Sequence, residues 1–452
     1  MNEEKKTRID EATATEPGVT MGRILQFFIP LGLTSAMMML SHSIIAAGIS
    51  RTYLPEISMA AYAVSLNVSG MAESPMVLAR QMTIALFHGP RSFQVIKKVT
   101  LATLAFFGTI MLAVAFTPFG RFIFGDVLGV TDQLLTPTIQ VFRVVMLMSV
   151  VSSIRSLYHG VLIRRKKTIF VTHAMFVRIA LMITLVFVFT RFDLVRGAYV
   201  GGVAIVSGIA AEALYSMYRG RKLIDPPDGV EDPEDQTLTF LQTATFFYPL
   251  ILAAVLFSIT RPIMTAGMAR SVDPAIALAA FSVATSLGWI IIAPCQNVHQ
   301  ATMVFVRERG GFPKVQAFAR GFGLTGSAIL ALIAFTPIGT WILVNLIAVS
   351  SQMVQPVLNA LRIMALLPMV LSMQEYFMGI LLVNQHTRIV SLCKMANLGV
   401  VTVVVLASSS FFPGMGSMIG AVGQLSGFSA ELVVAWGAYR LLERSGSLTV
   451  SK

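Results

Sequence analysis

Long apolar segments, separated by short polar stretches, follow one another along almost the whole of the 452-residue chain. A helix rises 1.5 Å per residue, so segments of about 20 to 30 residues can cross the ~30 Å hydrocarbon core of a bilayer. Inside hydrocarbon each backbone polar group must be paired within its own segment, so these segments should be helices. The pattern predicts an all-α polytopic membrane protein with twelve transmembrane helices, near residues 24–50, 58–87, 96–118, 137–163, 168–190, 195–218, 243–269, 277–306, 315–337, 356–382, 387–409 and 414–440.

The chain carries this pattern twice, since about 200 residues match a second copy displaced by 219 positions without a gap. FFIPL at 27–31 returns as FFYPL at 246–250, and SGIAAE at 207–212 returns as SGFSAE at 426–431. Proline, glycine and glutamate positions recur in register, so shared apolar composition does not explain the match. Six crossings per half bring both halves in from the same side. We therefore expect two parallel six-helix repeats around a central cavity, related by a pseudo-two-fold axis along the membrane normal.

The repeat and the polar stretches between helices predict the division of the chain. The only long polar stretch between the halves opens with basic residues and continues with three prolines and six acidic residues. The predicted parts are a disordered cytoplasmic tail at 1–22, an N-terminal bundle at 23–219, a cytoplasmic linker at 220–238, a C-terminal bundle at 239–442 and a second cytoplasmic tail at 443–452.

The balance of charged residues gives the orientation of the predicted helices. Only 12 % of the residues are charged, against about 25 % in soluble domains. The net charge of +12 comes from short basic clusters, such as those at 164–167 and 219–222, that all fall on one side of the predicted helices. Such clusters mark cytoplasmic loops rather than a nucleic-acid surface. We expect a multi-pass protein of the cytoplasmic membrane with both termini in the cytoplasm, a lipid bilayer as its surroundings and no nucleic-acid partner.

Ionisable residues inside the predicted helices are candidates for function, because a charge in hydrocarbon is costly unless it faces a partner or water. Arg261 in the seventh helix is the repeat counterpart of His42 in the first, so the two face each other if both face the axis. We predict that Arg261 and His42 bind substrate. The other predicted substrate-binding residues are Glu73, Gln296, Asn297, His299 and Arg155, and the candidates for ion coupling are Glu375 and Glu73.

Other charges have a simpler structural interpretation. Glu212 and Glu431 are repeat counterparts, and we expect them to pair with basic residues of their own bundles, such as Arg178. Three more arginines lie near predicted helix ends, where a long side chain can reach the interface: Arg80, Arg143 and Arg362. Five arginines and four glutamates lie deep in the predicted spans. A cavity lined by them would be neutral to positive and would favour an anionic group.

No sequence signature indicates catalysis. The chain has no phosphate-binding loop, no His-Glu-x-x-His segment and no nucleophile elbow, and its loops are too short for a catalytic domain. We predict no catalytic residues, no metal site, and no cofactor other than a coupling Na⁺ or H⁺. The two cysteines have neither disulfide-framework nor zinc-ligand spacing. We expect a monomer.

Two six-helix halves, each with a proline-containing first helix and a Gly–x₆–Pro–x₄–Ala-Ala entry to the second, resemble the multidrug/oligosaccharidyl-lipid/polysaccharide (MOP) exporter superfamily. This superfamily includes the multidrug and toxic-compound extrusion (MATE) transporters. The resemblance spans about residues 22–442. FFIPLGLTS at 27–35 and YHGVLIRRKKTIFV at 158–171 are similar to its progressive-ankylosis-type branch, whose members export small organic anions. The resemblance implies alternating access around a cavity lined by helices 1, 2, 7 and 8.

The chain departs from the cation-coupled drug exporters of that superfamily. Those proteins carry the ion on an aspartate of helix 1 or on acidic residues of helices 7 and 10. Here helix 1 has Ser41-His42-Ser43, helix 7 has Arg261, and only Glu375 on helix 10 matches. Members that flip anionic lipid-linked sugars have basic cavities, which Arg261 would suit. The leading hypothesis is a secondary exporter or flippase for an anionic or amphipathic small molecule or lipid-linked substrate. The alternatives are a Na⁺- or H⁺-coupled cationic-drug antiporter and, less favoured, a lipid-processing enzyme or scaffold.

Overall fold

The computed structural model describes residues 18–52, 54–128, 130–192, 197–225, 235, 237–347 and 349–446. Twelve long helices account for most of these residues. Their bounds are Met21–Ile49 (α1), Pro55–Leu86 (α2), Pro90–Phe116 (α3), Asp132–Arg164 (α4), Ile169–Phe192 (α5), Tyr199–Arg221 (α6), Phe240–Met268 (α7), Pro274–Phe305 (α8), Gly311–Phe335 (α9), Ser351–Val383 (α10), Thr387–Phe411 (α11) and Met418–Arg444 (α12). The fold class predicted from the sequence is confirmed.

Eleven of the twelve helices are long and apolar enough to cross a membrane by length and composition. The exception is α2, which carries Glu73 and Arg80 along with several serines. Three helices begin three to six residues before the predicted bounds, at Pro55, Pro90 and Pro274. Proline suits the first turn of a helix, and these first turns lie outside the apolar runs from which the bounds were predicted.

The duplication in the sequence is a duplication in the structure. α1 and α7, α2 and α8, α4 and α10, and α6 and α12 all begin at positions separated by the sequence offset of 219. α4 is interrupted between Val145 and Met148, and α10 is interrupted at the counterparts, between Met364 and Leu367. Each half thus builds the same six helices with the same break.

Paired hydrogen bonds fix the first helix of each half. The hydroxyl of Thr172 on α5 donates to the carbonyl of Pro30 on α1 at 2.8 Å. In the second half the hydroxyl of the counterpart Ser391 donates to the carbonyl of Pro249 at 2.6 Å. These bonds satisfy the hydroxyls inside the bundle and hold α1 on α5 and α7 on α11.

Glycine permits a close contact between the second and fourth helices of each half. A Cβ at Gly160 would lie 2.3 Å from Cβ of Thr83, and one at Gly379 would lie 2.6 Å from Cβ of Thr302. Both distances are far below van der Waals contact. Only glycine allows α4 to pack this closely on α2, and α10 on α8.

The largest buried cluster lies at the end of the bundle where α1 and α7 begin, which we call the inner end. It contains residues of both halves, including the edge-to-face pairs of Phe27 with Phe305 and of Phe28 with Phe318. Each of the other buried clusters contains residues of one half only. The halves are therefore joined at the inner end and pack as separate cores toward the other end.

Candidate functional site

Two connected cavities lie between and beside the halves. The central cavity, about 540 Å³, is lined by α1, α2, α4, α5 and α6 of the first half and by α7, α8, α10, α11 and α12 of the second. A neighbouring cavity of about 610 Å³, here called the C-half extension, lies mainly among α7, α8, α11 and α12. Both are lined by Ser35, Phe257 and Gln296. The two spaces thus form one cleft.

On the first half's side, Glu212 of α6 lies at the centre of a buried ion network. Nη1 of Arg178 lies 3.1 Å from its carboxylate, Nη1 of Arg155 lies 3.4 Å away and Nε2 of His159 lies 3.7 Å away. Two guanidinium groups thus share one carboxylate. The sequence predicted a pair between Glu212 and a basic residue of its own bundle, and His159 was not among the predicted partners.

Glu73 lies on the same wall. It accepts a hydrogen bond of 2.5 Å from the hydroxyl of Ser152, and Nη2 of Arg155 lies 3.6 Å from it. Arg155, predicted to bind substrate, is therefore already held by the two carboxylates of Glu73 and Glu212. The positive charge of Arg155 is therefore largely compensated by carboxylates of the protein.

On the second half's side, Glu431 occupies the counterpart position of Glu212. Nζ of Lys394 lies 2.6 Å from it, the amide of Asn397 donates at 2.6 Å and the amide of Gln374 donates at 3.0 Å. Asn397 and Gln374 are the repeat counterparts of Arg178 and Arg155. Two amides and one lysine thus replace two arginines. Lys394 was not predicted, although a lone lysine inside an apolar helix is a signal that the sequence offered.

A carboxylate–imidazole pair of the second half contacts the first half. Oε2 of Glu375 on α10 lies 2.6 Å from Nδ1 of His299 on α8. Nε2 of His299 lies 3.4 Å from the amide nitrogen of Gln81 on α2. Both members of the pair line the central cavity. Through Gln81 this pair of the second half also contacts the first half.

A local change of helix type positions two predicted residues. α8 tightens into a 3₁₀ turn at Ala293–Asn297, which contains Pro294. The turn places Gln296 on both cavities and directs Asn297 toward α1, where its amide donates to the hydroxyl of Ser35 at 2.6 Å. Pro75 is the counterpart of Pro294, yet α2 remains α-helical there.

Arg261 lies in the C-half extension beside Met264 and Trp289. Its side chain is exposed, and no hydrogen bond or ion pair reaches its guanidinium from the described residues. His42 belongs to α1, but its side chain falls outside the described residues. The predicted facing of His42 and Arg261 therefore stays a prediction.

Three arginines expected near helix ends have different positions. Arg143 donates to the carbonyl of Ala115 at 3.0 Å, and its counterpart Arg362 donates to the carbonyl of Ala334 at 3.2 Å. Arg80 instead lines the central cavity. It lies seven residues after Glu73, which places the two on one face of α2. This seven-residue spacing indicated in the sequence that Arg80 lies on the same face of α2 as Glu73.

Charged and aromatic contacts close the inner end. The Glu308 carboxylate forms ion pairs with Arg23, at 3.8 Å, and with Lys166. The ammonium of Lys166 also lies 5.4 Å from the centre of the Phe305 ring. The backbone N–H of Val19, just before α1, donates to the carbonyl of Arg309 at 3.2 Å. All of these contacts join the first half to the second.

The segment before α7 makes a similar contact with the first half. The Asp235 carboxylate accepts hydrogen bonds from the backbone N–H groups of Ser92, at 2.8 Å, and Arg91, at 3.1 Å, in the first turn of α3. Burial acts to raise the pKa of Asp235. The hydrogen bonds from Ser92 and Arg91 outweigh that effect, so the pKa lies below its usual value.

This twelve-helix arrangement is the fold of the MATE transporters of the MOP superfamily. A mutant of the MATE transporter VcmN from Vibrio cholerae aligns with a TM-score of 0.75 at 15 % identity, over 94 % of this chain and 97 % of that one. The bent form of VcmN aligns with a TM-score of 0.75 at 16 % identity, over 95 % and 98 %. A MOP superfamily transporter from Pyrococcus furiosus aligns with a TM-score of 0.70 at 13 % identity, over 93 % and 96 %.

Within that fold class, residues 236–413 match the model of the progressive ankylosis protein (ANKH) family. The superfamily resemblance inferred from the sequence is thus confirmed by the fold, and the second half is similar to the branch that the short motifs indicated. A comparison with curated proteins found no match for this chain.

Proposed function

We propose that this protein is a secondary transporter of the exporter or flippase type, which moves an anionic or amphipathic solute by alternating access of its two halves. The observation that carries the proposal is the cleft lined by charged residues between two like-folded halves, whose shared buried cluster lies at one end. Four of its walls are α1, α2, α7 and α8, the helices that the superfamily resemblance assigns to a transport cavity.

The contacts that join the inner end suit a reversible closure. The ion pairs of Glu308 with Lys166 and Arg23 are partly exposed, and such pairs contribute about 0–1 kcal/mol each. Aromatic edge contacts such as Phe27 with Phe305 add about 0.5–1.5 kcal/mol each. These charged and aromatic contacts are individually weak, so a ligand that favours the other state by a few kcal/mol can offset several of them.

The charge and lining of the C-half extension favour an amphipathic anion. Arg261 provides an unpaired guanidinium, while Phe257, Phe281, Met264 and Trp289 provide an apolar, adaptable wall. The similar Pyrococcus furiosus protein is described as having a binding pocket of reverse polarity that suggests a different function. That description supports a difference in pocket polarity among proteins of this fold.

The test is efflux of carboxyfluorescein, an amphipathic anion, from proteoliposomes that contain the full-length protein. We expect Arg261→Ala to reduce efflux at least about tenfold, because a charge-assisted contact is worth about 1.5–3 kcal/mol. The matched control is Arg270→Ala, which removes an exposed arginine from the connection between α7 and α8. Equal efflux by Arg261→Ala and the native protein would remove Arg261 from the site. No efflux by the native protein would count against the anionic substrate.

A proton- or sodium-coupled antiporter of cationic drugs is the second candidate, and the Glu375–His299 pair favours it. A carboxylate that faces the cavity could hold a cation in exchange for a drug. Overexpression would then confer resistance to ethidium, and Glu375→Gln would abolish that resistance while protein levels in the membrane stay unchanged. Resistance that survives Glu375→Gln, or none in the native protein, would leave the anion exporter as the better account.

A further inference from the structure

Arg80 is the one cavity-lining cation of the first half that the described residues leave without a polar partner. Arg155 and Arg178 both reach Glu212, and on the opposite wall Lys394 reaches Glu431 and His299 reaches Glu375. No ion pair of this kind reaches Arg80 from the described residues. Its side chain is half-buried, and its Nε is buried with no hydrogen-bond partner.

The charges around Arg80 leave a positive surplus. Among the described residues, the first half contributes three guanidinium groups to the cavity, Arg80, Arg155 and Arg178, but only two carboxylates, Glu73 and Glu212. Both carboxylates are engaged by the other two arginines. A buried charge without a counter-ion costs several kcal/mol. The guanidinium of Arg80 is therefore stable only when water or an anion accepts its hydrogen bonds.

The backbone that carries Arg80 is firmly held. α2 and α4 pack so closely here that a Cβ at Gly160 would lie 3.1 Å from the carbonyl oxygen of Arg80. The neighbours Ala79 and Met82 belong to the buried cluster of the inner end. Arg80 therefore lies at the inner limit of the cavity, where the two halves meet, and its position needs little reorganisation to receive a ligand.

We propose that Arg80 forms a binding site for a compact oxyanion, such as a carboxylate or phosphate group, at the inner limit of the central cavity. The guanidinium presents paired N–H donors that match the two oxygens of such a group. Gln81 and His299, which contact each other across the two halves, line the same cavity. The inference deepens the proposed transport function and rests on it, since it names where the anionic group of the solute is held.

The test is calorimetric titration of inorganic phosphate into the purified full-length protein in detergent, with gluconate as the background anion. We expect Arg80→Gln to weaken phosphate binding at least about tenfold, and Arg80→Lys, which keeps the charge but loses the paired donors, to weaken it less. The control Arg51→Gln removes an equal charge from an exposed position at the end of α1 and should bind phosphate as the native protein does.

Two results would overturn the site: no phosphate binding by the native protein, or equal losses in Arg80→Gln and Arg51→Gln, which would indicate a diffuse field rather than a site. Melting temperatures of all variants identify misfolding. If Arg80→Gln is misfolded, phosphate binding by Arg80→Lys tests the site instead. Carboxyfluorescein efflux separates the two proposals. Arg80-dependent phosphate binding without efflux by the native protein keeps the site and counts against the proposed anion transport. Efflux that is unchanged in Arg80→Gln keeps the transport and removes the site.

Discussion

The surroundings of Glu212 and Glu431 show how the two halves have diverged on one scaffold. Both carboxylates lie on the last helix of their half, and partners at counterpart positions reach each of them. Around Glu212 these partners are Arg155 and Arg178, whereas around Glu431 they are Gln374 and Asn397, with Lys394 in addition. The positions of these partners around the carboxylate are the same in both halves, but the charge of the partners differs.

The consequence is a cavity with unlike walls. The first half contributes three arginines against two glutamates, a surplus of one positive charge. Of the second half, Lys394 and Glu375 line the same cavity, one charge of each sign. Within the central cavity an anion is therefore better received by the wall of the first half. Duplication provided the symmetry, and substitution at counterpart positions removed it from the electrostatics of the cavity.

The largest expected effect comes from removing the carboxylate of the first half. Glu212→Gln would leave Arg155 with only Glu73 and Arg178 without an ion-pair partner among the described residues, both buried. Breaking a buried ion pair on one side costs about 3–5 kcal/mol. We expect a large fall in the melting temperature of the purified protein, or failure to accumulate in the membrane.

Glu431→Gln is the matched change in the second half, and we expect it to cost less. Only one cation, Lys394, loses its partner, and its side chain is 18 % exposed toward the cavity, where Glu375 also acts on it. Melting temperatures of the two variants, measured side by side, decide the matter. Equal losses would show that the two networks are energetically alike despite their different charge.

A smaller effect is expected where the linker caps α3. Asp235→Asn keeps a hydrogen-bond acceptor but removes the charge near the helix N-terminus, at a cost of about 1 kcal/mol or less. Because the pKa of Asp235 is lowered in the folded protein, its contribution is complete at neutral pH and is lost as pH falls from about 3.8 toward the lower folded value.

We therefore expect the difference in melting temperature between Asp235→Asn and the native protein to be present at pH 7 and to shrink in strong acid. The counterpart position is Glu16, which lies outside the described residues. A difference that is independent of pH would show that the Asp235 charge does not contribute.

Another small effect is expected at the inner end. Glu308→Gln removes two partly exposed ion pairs worth about 0–1 kcal/mol each, which would shift the population of the open inner end by at most about thirtyfold. Thiol labelling of Ala79→Cys, in the inner cluster, measures this opening. Faster labelling in the Glu308→Gln background is expected. A hundredfold increase would mean that Glu308 is the main closure rather than one weak contact among several.

The sequence predicted the helices and their duplication well, but the partners of the charged residues only in part. The offset of 219 that aligned FFIPL with FFYPL also separates the starts of α1 and α7. Arg80 was assigned to a helix end and Lys394 was overlooked. Gln296 was predicted as a site residue, but its place on both cavities depends on the 3₁₀ turn of α8, which the equivalent Pro75 in α2 does not produce.

By itself, the sequence determined that the chain folds into two like-oriented sets of six helices. This follows because backbone groups in hydrocarbon must pair locally, and the apolar runs show where that happens. Only the tertiary structure decided which buried charges are satisfied. Arg155 and Arg80 are both arginines deep in apolar helices. Among the described residues, the packing of α2, α4 and α6 brings two carboxylates into ion-pair contact with Arg155 and none into contact with Arg80. Rotation of a helix about its axis sets such contacts, and the spacing of residues along one chain does not fix that rotation.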